Sequence, residues 1–232
     1  MQFYVMQLEV GDPNETWCSY LQPENEGEAP RCPQCNGIIG AISTLPPYGI
    51  ELKVHGRGLG DLAFCPGNGI VVSGRFRESW AQSKLRGLDF VPVDRIRVRP
   101  ARLGKRPLTY LHVMPQRFGT RVDLSRSLIE YRRPFSCMTC LDAGVDTIRG
   151  FSIDESSWTG EDLFIAWGMP GSIIVTDRVR QLRNDHDLKN VTLTPVEKFV
   201  WDPLNRWTPV DYSRDEPPPE VEEVVDNDAS LN

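Results

Sequence analysis

Two Cys-x-x-Cys pairs, "CPQC" at 32–35 and "CMTC" at 137–140, constrain this chain more than any other feature. A tetrahedral zinc ion takes four thiolates, and a short knuckle presents two sulfurs from one turn. If one ion takes all four, the 101 residues between the pairs must fold around that closure. The spacing is far wider than the roughly 15–20 residues of a compact ribbon, but zinc ribbons tolerate long insertions between knuckles. Two other readings stand beside the metal. Reduced cysteines are often simply buried, and a redox pair uses a helix N-terminus to activate its first thiol. Behind Cys35 comes "NGIIGAIS", a turn and a strand-like run, which offers no such helix. The expectation is one structural zinc on Cys32, Cys35, Cys137 and Cys140. Cys18 in "TWCSY" and Cys65 in "AFCPG" have no paired neighbour and are expected to be packing residues.

The segments following the two pairs resemble each other. "VSGRFRESWAQSKLRGLDFVPV" (72–93) lies over "VTDRVRQLRNDHDLKNVTLTPV" (175–196) without a gap, matching Val72 with Val175, Ser73 with Thr176, Arg75 with Arg178, Leu85 with Leu188, and Pro92-Val93 with Pro195-Val196. Upstream, "DLAF" at 61 corresponds to "DLFI" at 162. A shared order of elements with small drifts in offset reads as an internal duplication. Its unit would be knuckle, Asp-Leu, buried strand, Ser/Thr-capped helix and Pro-Val strand. Helices are expected at 73–86, about 121–130, and 176–187. "TLPPYGIELKV", "RIRVRP" and "PLTYLHVMP" read as strands. The expected class is α+β: β-rich with few short helices, duplicated, with a shared zinc-ribbon-like site. Residues 1–110 and 111–210 would be the two halves of one globular body, followed by an acidic tail with the composition of disorder at 211–232.

Charge is unevenly spread. The tail holds eight acids and one base, net −7, against 25 bases and 24 acids in the rest. Such a tail repels a polyanion and argues against nucleic acid. "MQFYVMQLEV" reads as a first strand and not as a targeting signal. The longest uncharged apolar stretch, "LFIAWGMPGSIIV" (163–175), is too short to span a bilayer. A cytoplasmic protein with no membrane contact is expected.

Catalytic patterns are missing from the sequence. His55, His112 and His186 are widely separated, each expected on the surface or satisfied in a core. "GRGLG" (56–60) lacks the Lys-Ser/Thr of a phosphate loop and reads as a flexible loop. The acid pairs Asp154-Glu155 and Glu161-Asp162 read as solvated turns. No catalytic residue and no enzymatic activity is therefore expected. Candidates for partner binding are Arg95, Arg97 and Arg99, which on a strand share one face, and the aromatics Trp201 and Trp207. The arginine stripe suits phosphates or an acidic protein surface equally.

The two C-x-x-C pairs, with "IIVTDRVRQLRNDHDLKNVTLTPVE" after the second, resemble the double-CXXCG motif family, over most of residues 1–200. Its members occur as paralogues in myxobacteria and include immunity proteins for swarming-inhibition toxins. The resemblance implies zinc on the four cysteines and no catalytic residues. The implied partner is a cognate protein toxin, neutralised by occlusion. The family name places Gly after each second cysteine, where this chain has Asn36 and Leu141. The rival reading is a zinc-ribbon nucleic-acid-binding or regulatory protein.

Overall fold

The computed structural model describes residues 1–22, 25–141, 143–169, 171–203 and 205. Residues 1–201 form one compact unit. Its first strands are β1 (Phe3–Gln7), β2 (Thr16–Tyr20), β3 (Asn25–Glu26), β4 (Thr44–Leu45), β5 (Tyr48–Val54), β6 (Leu62–Phe64) and β7 (Ile70–Ser73). Helix α1 (Gly74–Gln82) follows, then β8 (Val91–Arg99), β9 (Tyr110–Val113), β10 (Ile129–Tyr131), β11 (Val145–Arg149), β12 (Leu163–Phe164) and β13 (Ile173–Thr176). Helix α2 (Asp177–Asp185), β14 (Thr192–Pro195) and β15 (Val200–Trp201) complete the unit. The fold is α+β and mostly β.

Both helices begin where Ser73 and Thr176 end a buried strand. Ser73 accepts the Phe76 N–H at 3.1 Å, as an N-cap does. Thr176 makes no such bond and turns its hydroxyl to Asp162 instead. Each helix buries one stripe, Phe76, Ser79 and Trp80 on α1, and Val179 and Leu182 on α2. The helices stop at Gln82 and Asp185, earlier than expected, in turns where Lys84 and Asp187 take positive φ of 51° and 47°. The helix expected at about 121–130 is not formed. Asp123 accepts from the Ser125 N–H and hydroxyl, closing a local turn, and a single 3-10 turn at Leu124–Arg126 leads into β10. Short polar side chains that bond their own backbone compete with a helix in this way.

One sheet has the order β12-β13-β1-β14, and a larger one β2-β5-β8-β9-β7-β6. Within them the sets β12-β13-β1-β14 and β6-β7-β9-β8 have the same antiparallel pairings. Their registers coincide as well: Tyr4 faces Val175 and Pro195, while Leu111 faces Val72 and Pro92. The segments aligned in the sequence thus occupy matching places. The inserted strand in each sheet comes from the other part of the chain, β1 among 163–195 and β9 among 62–99. β1 of the first half and β9, which spans the 110/111 boundary, thus each complete a sheet built mainly from the opposite half, and the two halves interleave within one body.

The main core lies where the two sheets and both helices meet, and its members fall in matching pairs such as Leu62 with Leu163, Val72 with Val175 and Leu85 with Leu188. Branched and aromatic side chains from both parts of the chain share this cluster. A separate cluster on the other face of the larger sheet contains Ile50, Leu52, Val71, Val98 and Tyr110. Here the edge strands β2 and β6 approach. The Asn190 amide donates to Thr16 O and to Leu62 O, each at 2.7 Å, bridging the two edges. Cys18 and Cys65 form a disulfide across the same seam. The reading of these two as packing residues is corrected: they are 47 positions apart, and only the curl of the sheet brings them together. Among the described residues, no helix is long and apolar enough to cross a membrane.

Candidate functional site

The four cysteines of the two knuckles converge. Their sulfurs all lie within 4.8 Å of one another. Cys32 Sγ is 4.0 Å from Cys137 Sγ, and Cys35 Sγ is 3.7 Å from Cys140 Sγ. A tetrahedron with Zn–S bonds of about 2.3 Å has sulfur–sulfur edges of about 3.8 Å. The donor set therefore fits a four-thiolate metal ion in number, type and spacing.

Each knuckle is built in the same way. The residue after the second cysteine donates its N–H to the carbonyl of the first, Asn36 to Cys32 and Leu141 to Cys137, both at 2.9 Å. That return turn needs a left-handed backbone, and Asn36 and Leu141 have φ of 59° and 49°. This is the conformation in which glycine is free of strain, and asparagine tolerates it better than leucine. The positions where the resembled family has Gly thus keep a glycine-like backbone without it. Leu141 gains burial in exchange and lies against Gly168, where an added Cβ would come within 2.6 Å of its Cδ1. Across the site, the Thr139 hydroxyl donates to the Gln34 side-chain carbonyl, joining the knuckles a second time.

Electrostatics differ between the two cysteines of each pair. The Cys140 N–H, pointing at the Cys137 sulfur, brings that thiol down to about 7. The Cys35 N–H lowers Cys32 in the same manner. Cys140 moves upward, first through burial and then through its neighbouring thiols. The Gly37 N–H pulls Cys35 down, but burial and the other thiols carry it net upward. Four adjacent thiols cannot all ionise without a cation; a divalent metal would deprotonate the set and release those protons. Trp167 and Ile39 pack against the cluster, and the Trp167 indole is anchored by its N–H to Phe118 O at 2.7 Å.

The proposed partner residues lie elsewhere. Arg95, Arg97 and Arg99 share the outer face of β8, beside β5 and β2. Arg99 Nε lies 2.8 Å from Glu51 Oε2, and Arg97 Nη1 lies 3.6 Å from the same oxygen. Lys53 and exposed Trp17 continue the row that starts at Arg99. Gly49 holds this face flat under Arg95, whose Nη2 would lie 3.1 Å from an added Cβ. Trp201 is on β15, paired with Ile148, and is not part of that face. Trp207 lies outside the described residues.

Sequence reasoning missed the role of two aspartates. Asp61 accepts the Ser73 hydroxyl at 2.7 Å and the Lys189 N–H at 2.9 Å, and pairs with Arg75. Asp162 accepts the Thr176 hydroxyl at 2.7 Å and the Arg86 N–H at 2.9 Å, and pairs with Arg178 at 2.9 Å. Each carboxylate thus holds the hydroxyl of the residue that precedes its own helix and ties down the turn after the other helix. Asp162 is fully buried, so the reading of Glu161-Asp162 as a solvated turn is corrected. The repeated Asp-Leu was the available signal.

His112 is buried in the larger sheet, where burial pulls its imidazole down to about 4. It stacks on Tyr48 at 4.0 Å and shares a 2.7 Å hydrogen bond with the Tyr20 hydroxyl, the satisfied core position expected of it. No family model matches the chain, and no curated protein sequence matches it.

Proposed function

We propose that this chain is an internally duplicated, zinc-stapled binding protein that neutralises a cognate protein toxin by occluding it. The observation that carries the metal part is the convergence of four sulfurs within 4.8 Å from knuckles 105 positions apart. Zinc is the ion of choice because four-thiolate tetrahedral sites suit it and it needs no open coordination position in a structural role. Cys32, Cys35, Cys137 and Cys140 would hold it, and the metal would supply cross-linking. The matching registers of the two strand sets support descent from one repeated unit.

The binding part rests on the resemblance to the double-CXXCG family and on a rigid, open sheet face. That face presents Lys53, Arg97 and Arg99 around the Glu51 carboxylate, with Arg95 opposite Gly49 and Trp17 at the far end, its indole N–H on Glu15. Aromatic and arginine side chains on a rigid element are the usual anchors of a protein interface. The same face gives the nucleic-acid reading its one specific support, because a basic sheet with an aromatic platform also takes single strands.

One experiment separates these readings. The chain is co-expressed with the product of an adjacent reading frame, as wild type and with Arg95, Arg97 and Arg99 changed to Glu. Rescue of growth and a stable complex with a lethal neighbour are expected for the wild type, and both should be lost in the triple variant. A lethal neighbour with neither rescue nor binding contradicts the immunity reading. Salt-dependent retention of a single-stranded oligonucleotide, abolished by the triple change, would favour the rival.

A further inference from the structure

A cavity of about 390 Å³ opens beside the cysteine cluster, between the first knuckle's hairpin, the turn at Gly67–Asn68 and the segment 114–117. Its walls are largely apolar, with Pro33, Ile39, Met114, Ile165 and Trp167 prominent. Arg117 lines it too, and among the described residues its guanidinium has no ion pair or hydrogen bond. Burial lowers its pKa, the mark of a cation held out of water without compensation. Arg31 at the wall is different, because its Nη1 already donates to Asn36 O at 2.9 Å. Glu28 also borders the cavity and is exposed, and among the described residues it makes no ion pair with Arg117.

A partly buried charge without a partner is costly, and an anion delivered into the same space removes that cost. The volume lies in the range of small-molecule pockets, which combine apolar walls with a few oriented polar groups. Gly40 keeps the wall thin beside the guanidinium: an added Cβ would meet Pro30 Cγ at 2.8 Å and Arg117 Nη1 at 3.6 Å.

We propose that this cavity binds a small organic anion, a flat or branched apolar body bearing one carboxylate, with the acid on Arg117 and the body against Trp167 and Ile165. The site is separate from the toxin-binding reading and shares only its scaffold.

The test uses the full zinc-loaded chain and two probes of equal shape, naphthalene-2-carboxylate and the neutral naphthalene-2-carboxamide, titrated by calorimetry. The carboxylate should fill one saturable site at least about tenfold more tightly than the carboxamide, as a charge-assisted hydrogen bond allows. Arg117→Gln should abolish that preference while leaving carboxamide binding in place, and Arg117→Lys should restore part of it. Equal affinities in the wild type, no saturable site for either probe, or a carboxylate preference that survives Arg117→Gln would each overturn the proposal. The wild-type comparison decides even if the variants fail to fold.

Discussion

Asp61 and Asp162 hold the two parts of the chain in register through one carboxylate each. Their partners are a hydroxyl, a backbone N–H and an arginine, and the N–H in each case comes from the turn beyond the opposite helix. Replacing Asp162 by Ala leaves the Arg86 N–H, the Thr176 hydroxyl and the Arg178 guanidinium short of an acceptor. A loss of about 2–4 kcal/mol is expected, measurable by urea unfolding, with a similar loss for Asp61→Ala. His112 gives a pH signature at the same scale. Burial brings its folded-state pKa to about 4, below the ordinary imidazole value of about 6.5, so the unfolded chain binds the extra proton first. Stability from keeping this imidazole neutral is fully present above about pH 6.5 and falls away as pH drops through 6.5 toward 4. The loss should reach about 3 kcal/mol below pH 4. The difference between wild type and His112→Phe, followed by melting from pH 7 to pH 4, should isolate this effect.

At the scale of the element, the seam between β2 and β6 decides how tightly the larger sheet is curled. The Cys18–Cys65 disulfide and the Asn190 amide replace the strand pairing that the seam lacks. Changing both cysteines to Ser should cost about 2–4 kcal/mol, read as a lowered urea midpoint for an otherwise intact fold. This seam was illegible in the sequence, because nothing in "TWCSY" or "AFCPG" announces a partner 47 positions away. The two helices were legible: a buried apolar strand ending in Ser or Thr fixes where a helix starts. Their ends were less so, since Lys84 and Asp187 take left-handed turns that no glycine marks. The segment 121–130 does not form the expected helix because Asp123 and Ser127 spend their side chains on local turns. The convergence of the four cysteines was the most legible feature, since C-x-x-C knuckles encode their own turn geometry. The Arg117 cavity left no local trace, because its walls come from four separate segments.

For the whole molecule, the interleaving of β1 and β9 has a direct consequence. Each sheet is completed by a strand from the other part of the chain, so neither part closes its own core. A chain cut at the exposed Arg106–Pro107 junction should yield 1–106 and 107–201 fragments that are unfolded alone. Co-expressed, they should fold and co-purify. Independent folding of either fragment, seen by circular dichroism, would contradict this. The sequence repeat pointed to paired units but not to their exchange of strands, because apolar alternation marks a strand without naming its neighbour.

In the proposed function one metal ion, held jointly by both knuckles, staples these interleaved parts. Native mass spectrometry of protein purified without chelators, wild type beside Cys137→Ser, tests it most directly. One zinc per chain is expected in the wild type, and its loss when Cys137, one of the two second-knuckle cysteines, is replaced. No metal in the wild type, or full zinc retention by Cys137→Ser, would contradict it.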